Sequence, residues 1–207
     1  FDNAFVASNG RGLYAARDLG LMELKNEQYH PNRSYIVTAE EQRDYFKGVI
    51  AAAGLVWPEQ AGTTVNISTG TVKLSTGKMS SRDGDVITIE WLFDEFAKAI
   101  SERGGKPTDE VVAGALRYQF LRVKIGSDVV FDINEAVSLT GNTGSYLQYA
   151  HARAKSILDK VSSATGPLTE LYPEDRALVR KLSEYHEVVS HAASVLEPHH
   201  ICNYLFE

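Results

Sequence analysis

One short run gathers more chemically capable side chains than any other in this chain: Gly77-Lys78-Met79-Ser80-Ser81-Arg82-Asp83-Gly84-Asp85. A Gly/Ser loop carrying Lys and Arg suits phosphate, because backbone N–H groups and hydroxyls donate hydrogen bonds and the cations neutralise charge. Such a loop can close over a triphosphate and stabilise the charge that develops during a displacement. The same composition also describes a solvated turn.

Two further groups have suggestive spacing. Tyr14 and Asp18 are four apart and share a face if residues 12–24 are helical. Gln42 precedes Tyr45 and Phe46 by three and four residues, which puts it on the apolar face of a helix, in the first turn after a strand. In parallel α/β sheets that edge is where ligands bind. The plainer alternatives are a surface Tyr/Asp pair and an amide satisfied by backbone. Tyr146, Tyr149, Arg153 and Lys160 fall together on one face of a second helical stretch. Aromatics beside cations stack on bases and pair with phosphates, or they pack against neighbouring helices. His199, His200 and Cys202 also cluster, but a helix start after Pro198 accounts for them, and no metal is expected.

The elements that must position these groups change character along the chain. Residues 34–38 have the apolar centre of a strand buried on both faces. A helix follows at once, with Thr38 and Glu41 as a capping box and Tyr45, Phe46, Val49, Ile50 and Ala53 at helical spacing. Strand followed by helix is an α/β signature. Residues 65–68 read as a second strand and 86–89 as strand-like. Residues 91–102 form a helix with Leu92, Phe93, Phe96 and Ile100 inward. After Gly104, Gly105 and Pro107, Thr108 caps another helix, with Val111, Val112, Ala115, Leu116, Phe120 and Leu121 as its apolar side. From Gly141 the pattern is all helical. Residues 145–161 carry the stripe Leu147, Ala150, Ala154, Ile157, Leu158 and Val161. Residues 173–196 repeat Leu178, Leu182, Tyr185, Val189, Ala192 and Leu196 at bundle spacing, ended by Pro198. The fold class is α/β over residues 1–140, followed by an all-α bundle segment over 141–207.

The 207 residues suffice for one large or two small domains. A hydrophobic content of 43% with 23% charged residues excludes disorder. The apolar run 49–56 is far short of a membrane span. A net charge of -6 argues against a generally basic nucleic-acid binder and leaves RNA contact to local patches. The single cysteine, Cys202, permits no internal disulfide and no cysteine-based zinc site, which suits a reducing, cytoplasmic home. The chain starts at Phe1 rather than Met, and residues 201–207 are amphipathic with no cap after them, so a longer parent protein is expected.

Lys78-Met79-Ser80-Ser81-Arg82 resembles the KMSKS loop of class I aminoacyl-tRNA synthetases. Ser81 stands at the fourth position and Arg82 supplies the cation one place later, a form similar to that of the arginyl-tRNA synthetase family. Gly12-Leu13-Tyr14-Ala15-Ala16-Arg17-Asp18-Leu19, then Tyr35-Ile36-Val37 and Glu41-Gln42, resemble segments of the same family. Gly141-Asn142-Thr143-Gly144-Ser145-Tyr146-Leu147-Gln148-Tyr149-Ala150-His151-Ala152-Arg153 resembles the opening of its anticodon-binding domain, and Pro198-His199 and Tyr204-Leu205 continue the likeness. The run Asn66-Ile67-Ser68-Thr69-Gly70-Thr71-Val72 keeps Gly70 and Val72 of a family pattern, with Asn66 and Thr69 where members often carry His and Phe.

The resemblance implies the second half of a Rossmann-type parallel-sheet catalytic domain in 1–140 and a truncated anticodon-binding domain in 141–207. It implies an arginine–tRNA ligase that activates L-arginine with ATP and Mg2+ and passes the arginyl group to tRNA(Arg). Tyr14, Asp18 and Gln42 would contact arginine, since a guanidinium calls for a carboxylate in a planar fork. Arg17 would be structural, because a second guanidinium repels the first. Lys78 would be the main phosphate contact, with Ser80, Ser81 and Arg82 shaping the loop. Lys78, Met79, Gly70 and Val72 would bind ATP, and Tyr146, Tyr149 and Arg153 would touch tRNA. The protein is expected to be monomeric and free of membrane. None of the six histidines sits in a His-x-Gly-His pattern. That motif is expected upstream of Phe1, and the isolated chain is expected to be inactive. Two other assignments stay open: another class I synthetase, of the cysteine or glutamine type, and a non-catalytic RNA-binding module derived from a synthetase.

Overall fold

A computed structural model of the chain describes residues 4–75, 88–161 and 170–207. The candidate phosphate loop, with Lys78, Met79, Ser80, Ser81 and Arg82, lies outside the described residues. The fold is mostly helical with small parallel sheets, and it divides into two compact units. Among the described residues no helix is long and apolar enough to cross a membrane.

The first unit comprises Phe1–Thr71 with Ile125–Asp128. It contains α1 (Tyr14–Tyr29), β1 (Ser34–Ala39), a 3-10 turn (Glu40–Gln42), α2 (Arg43–Val56) and β2 (Thr64–Thr69). β1 and β2 pair in parallel, from Ser34 opposite Thr64 to Ala39 opposite Thr69. A parallel pair requires a crossover, and α2 supplies it. Ala15, Met22 and Val49 are buried, with Leu19, Ile36, Tyr45, Ile50 and Ala53 packed against them. The helices therefore meet over the Ile36 face of β1. The opposite face is open: Tyr35 is 49% and Val37 65% exposed, where the sequence suggested a strand buried on both sides. The expected capping box does not form. β1 runs to Ala39, so Thr38 lies within the strand, and no side chain caps the turn that follows.

The second unit comprises Val72–Lys124 and Val129–Glu207. Its elements are β3 (Val72–Leu74), α3 (Ile89–Glu102), α4 (Asp109–Leu121), β4 (Val129–Phe131), α5 (Ile133–Ala136), α6 (Gly144–Lys160), α7 (Pro173–Ser183), α8 (Tyr185–Val195) and α9 (His199–Phe206). β3 and β4 are parallel. Two threonines start the helices between them: Thr88 Oγ1 accepts the Trp91 N–H at 3.2 Å and Thr108 Oγ1 the Val111 N–H at 3.4 Å. Such caps contribute about 1 kcal/mol each. The Thr88 cap makes Ile89 the first helical residue and not the end of a strand. Leu92, Phe96, Ala99, Ile100, Val112, Ala115, Leu116 and Phe131 form the core. Phe96 and Phe120 meet Phe131 edge-on at 6.3 and 4.9 Å. Leu121, expected on the apolar side of α4, is its last residue and is 44% exposed.

The single helix expected over 173–196 is two helices. Ser183 Oγ donates to the Arg180 carbonyl at 2.7 Å, and the Glu184 N–H turns back to the Lys181 carbonyl. That side-chain competition and i→i+3 tightening end α7 one residue before α8 begins. The bundle stripe is buried at Ala192 only; Leu178 and Leu182 are 60% and 61% exposed. At the end of α6, Ile157, Leu158 and the following Val161 are likewise exposed, since no described residue covers that end of the helix.

α4 and α6 approach closely. A Cβ on Gly144 would lie 2.8 Å from both Ala115 Cα and Tyr118 Cβ, neither of which can rotate away. Gly20, within α1, has nothing within 4 Å of such an atom. Gly144→Val is therefore expected to destabilise by roughly 1–3 kcal/mol or more through overpacking. Gly20→Ala should stabilise by about 0.5–1 kcal/mol. Denaturant unfolding of both variants checks the pair.

Candidate functional site

In the first unit, α1 carries Asp18 and α2 carries Tyr45. The Tyr45 hydroxyl donates to Asp18 Oδ2 at 2.5 Å, and both residues are half-buried. Burial first, then this bond and the carboxylate's charge, push the Tyr45 phenol up to about 12. Asp18 Oδ1 accepts no hydrogen bond from the described residues. A held carboxylate with one open oxygen can pair with a cation, and best with a planar guanidinium. Tyr45 was read from sequence only as an apolar-face residue. The available signal was its phenol, since a tyrosine buried on a helix face needs a polar partner.

The other two residues grouped with Asp18 stand differently. Tyr14, the first residue of α1, is 79% exposed, and the Arg17 guanidinium lies 5.9 Å from its ring centre. Gln42 is exposed and not on an apolar face. It closes the 3-10 turn, so the amphipathic phase of α2 starts one residue after it. Neither side chain hydrogen-bonds Asp18 among the described residues.

β1 and β2 are cross-linked by polar side chains from their middle to their carboxyl ends. Asn66 Nδ2 donates to the Ile36 carbonyl at 3.1 Å and to Thr38 Oγ1 at 3.0 Å. Ser68 Oγ donates to Asn66 Oδ1 at 2.9 Å, and Thr69 Oγ1 donates to the Thr38 carbonyl at 3.2 Å. Asn66 and Thr69 thus tie the strands together. Gly70 is required by a close approach: a Cβ there would lie 2.1 Å from the Ser127 carbonyl oxygen. Beside it, the Thr71 N–H donates to Asp128 Oδ1 at 2.9 Å. Val72 opens β3 and packs against the core of the second unit. Gly70 and Val72 therefore both have structural duties.

In the second unit, Tyr149 and Arg153 lie one turn apart on the exposed face of α6. Tyr146, one turn earlier, is half-buried and meets Phe206 edge-on at 6.1 Å. Packing therefore separates it from the other two. Beyond α8, His199 and His200 come together with Glu197 instead of Cys202. Cys202 is buried, which raises its thiol pKa, and its carbonyl accepts the Tyr118 hydroxyl at 3.0 Å. Burial likewise pushes Tyr118 up to about 12.

Comparison with known proteins places this geometry. Residues 147–207 match the DALR anticodon binding domain. The arginine–tRNA ligase of Porphyromonas gingivalis is 29% identical over 227 residues, covering 100% of this chain and 38% of the relative. That of Clostridium acetobutylicum is 31% identical over 213 residues, covering 97% and 38%. The Thermus thermophilus arginyl-tRNA synthetase superposes with a TM-score of 0.80 at 25% identity, covering 98% of this chain and 40% of that one. Over nearly its whole length the chain is similar to arginyl-tRNA synthetases. It spans about two fifths of the length of these relatives. A Plasmodium falciparum arginyl-tRNA synthetase, at 18% identity and a TM-score of 0.77, shares the fold.

The two raised phenols make a pH prediction. The fold favours their protonated forms, so the stability they add is complete below an unfolded tyrosine pKa of about 10. It is lost as pH rises through about 12. Tyr45 and Tyr118 should stay protonated at about pH 11, read by tyrosinate absorbance. Tyr45→Phe should remove one of them and leave the other.

Proposed function

We propose that this chain is part of an arginine–tRNA ligase that activates L-arginine with ATP to arginyl-adenylate and then passes the arginyl group to tRNA(Arg). The single observation that carries the proposal is the half-buried carboxylate of Asp18, held at Oδ2 by the Tyr45 hydroxyl. In a chain whose relatives are arginine–tRNA ligases, that carboxylate is the natural partner of the substrate guanidinium. Tyr45 orients it, and the open oxygen completes the fork. Tyr14, exposed on the same helix, and Gln42, at the turn after β1, are proposed to close on arginine from either side.

The β1–α2–β2 crossover supports a place for the first unit as the second half of a Rossmann-type catalytic domain. Ligands of such sheets bind beyond the strand carboxyl ends. The arginine carboxylate would attack the α-phosphate of ATP and release pyrophosphate. Magnesium would arrive with ATP as part of that substrate. Lys78 would contact phosphate, Ser80, Ser81 and Arg82 would shape the loop, and Met79, Gly70 and Val72 would border the nucleotide. No covalent enzyme intermediate is involved, so catalysis is positioning and charge stabilisation. Tyr149 and Arg153 on α6 would meet tRNA by stacking and phosphate pairing. Tyr146 would brace the helix against Phe206. A cytoplasmic location accords with tRNA as partner.

In the intact enzyme, Asp18→Ala should weaken arginine use by roughly 30- to 1000-fold, the loss of about 2–4 kcal/mol of charge-assisted pairing. Tyr45→Phe should weaken it less. Arginine-dependent pyrophosphate exchange measures both, and unchanged arginine affinity in Asp18→Ala would remove Asp18 from the pocket. The 207-residue chain alone, which has no His-x-Gly-His segment, should give no exchange. Detectable exchange would make that segment dispensable.

A further inference from the structure

Between α8 and α9 the backbone turns on Leu196, in the left-handed region at φ 60, and on Pro198. The turn gathers Glu197, His199 and His200. Glu197 Oε2 lies 3.3 Å from His200 Nε2 and 3.8 Å from His199 Nδ1, and the donor atoms of all three residues lie within 4.8 Å of one another. A tetrahedral ion bound at about 2.0–2.2 Å sets its ligand atoms roughly 3.3–3.5 Å apart. One of these separations already has that value, and a second exceeds it by a few tenths of an ångström.

The surroundings also suit an ion. His199 Nδ1 is buried and has no hydrogen-bond partner. A polar atom in that state is uncommon in folded proteins. Lys124 Nζ stands 3.8 Å from Glu197 Oε1, the oxygen not facing the histidines, and so orients the carboxylate from behind. The lysine is well exposed, and solvent screens its charge. His200 also lines an open groove with Glu187, His191 and Asn203, which is an access route. The His191 ring meets it edge-on at 4.7 Å.

From this juxtaposition we infer that Glu197, His199 and His200 form a binding site for a divalent transition ion of the zinc class, with water completing the coordination. Two imidazoles and one carboxylate select such an ion over magnesium or calcium, which prefer all-oxygen shells. The bound ion would staple the turn between α8 and α9. The site stands independently of the ligase assignment, because it uses none of the residues proposed for arginine, ATP or tRNA.

Zinc chloride titrated into the metal-free full chain by calorimetry, with a thermal melt beside it, tests the site. One equivalent should bind at micromolar or tighter affinity and raise the melting temperature by several degrees. Glu197→Gln and His200→Ala, both at partly exposed positions, should each weaken binding at least tenfold while circular dichroism shows an unchanged fold. His186→Ala, at an exposed histidine outside the cluster, should leave affinity within about twofold. Cobalt(II) should bind the wild type competitively with zinc, and magnesium should not. Absence of saturable zinc binding, binding that survives both cluster substitutions, or binding lost in His186→Ala would overturn the assignment.

Discussion

Parallel strands cannot be joined by a tight turn, and the two parallel pairs among the described residues are each joined through helices. In the first unit α2 is the crossover; in the second, α3 and α4 lie between β3 and β4 in the chain. Most of the buried apolar surface sits where those helices meet each other or a strand face. The same constraint collects polar groups at the strand ends. A strand that stops beside a helix start leaves carbonyls and amides without ladder partners, and side chains must satisfy them. Asn66 and Thr69 donate to the Ile36 and Thr38 carbonyls of the β1–β2 pair, and Ser68 holds the Asn66 amide.

Asp18 belongs to this logic. Its helix is held to α2 by Ala15, Met22 and Val49, and that packing brings Tyr45 within hydrogen-bonding distance of the carboxylate. The bond is part of the fold and also orients an acceptor. An unheld carboxylate on an exposed helix would be worth little as a recognition element, because water and rotamer freedom dilute it. One oxygen tied to a phenol leaves the other with a defined direction.

The second unit solves a different packing problem. Gly144 lets α6 approach the backbone of α4, Gly114 leaves room for the Gln148 amide, and Tyr118 reaches the α9 carbonyl at Cys202. Outward along α6 and α7, apolar side chains such as Leu158 and Leu182 face solvent. They mark faces that the described residues leave uncovered.

Much of this was legible in the order of residues. Local rules placed both strands of the first unit, the Thr108 cap of α4, and the helical character after Gly141, because caps and periodicity act over a few residues; the Thr88 cap of α3 was hidden by the strand-like pattern of 86–89. The α7–α8 break escaped, since it depends on which carbonyl the Ser183 hydroxyl finds. So did the exposure of Gln42, because a 3-10 turn shifts the helical phase by one residue. The long-range pairings were also out of reach of local pattern. Tyr45 meets Asp18 across 27 residues, Asn66 reaches back 30 residues to Ile36, and a backbone carbonyl at Ser127 makes Gly70 obligatory. Residue types said which groups could do chemistry. Packing of distant segments decided which of them stand side by side, because only the burial of apolar faces fixes helices and strands that are far apart along the chain.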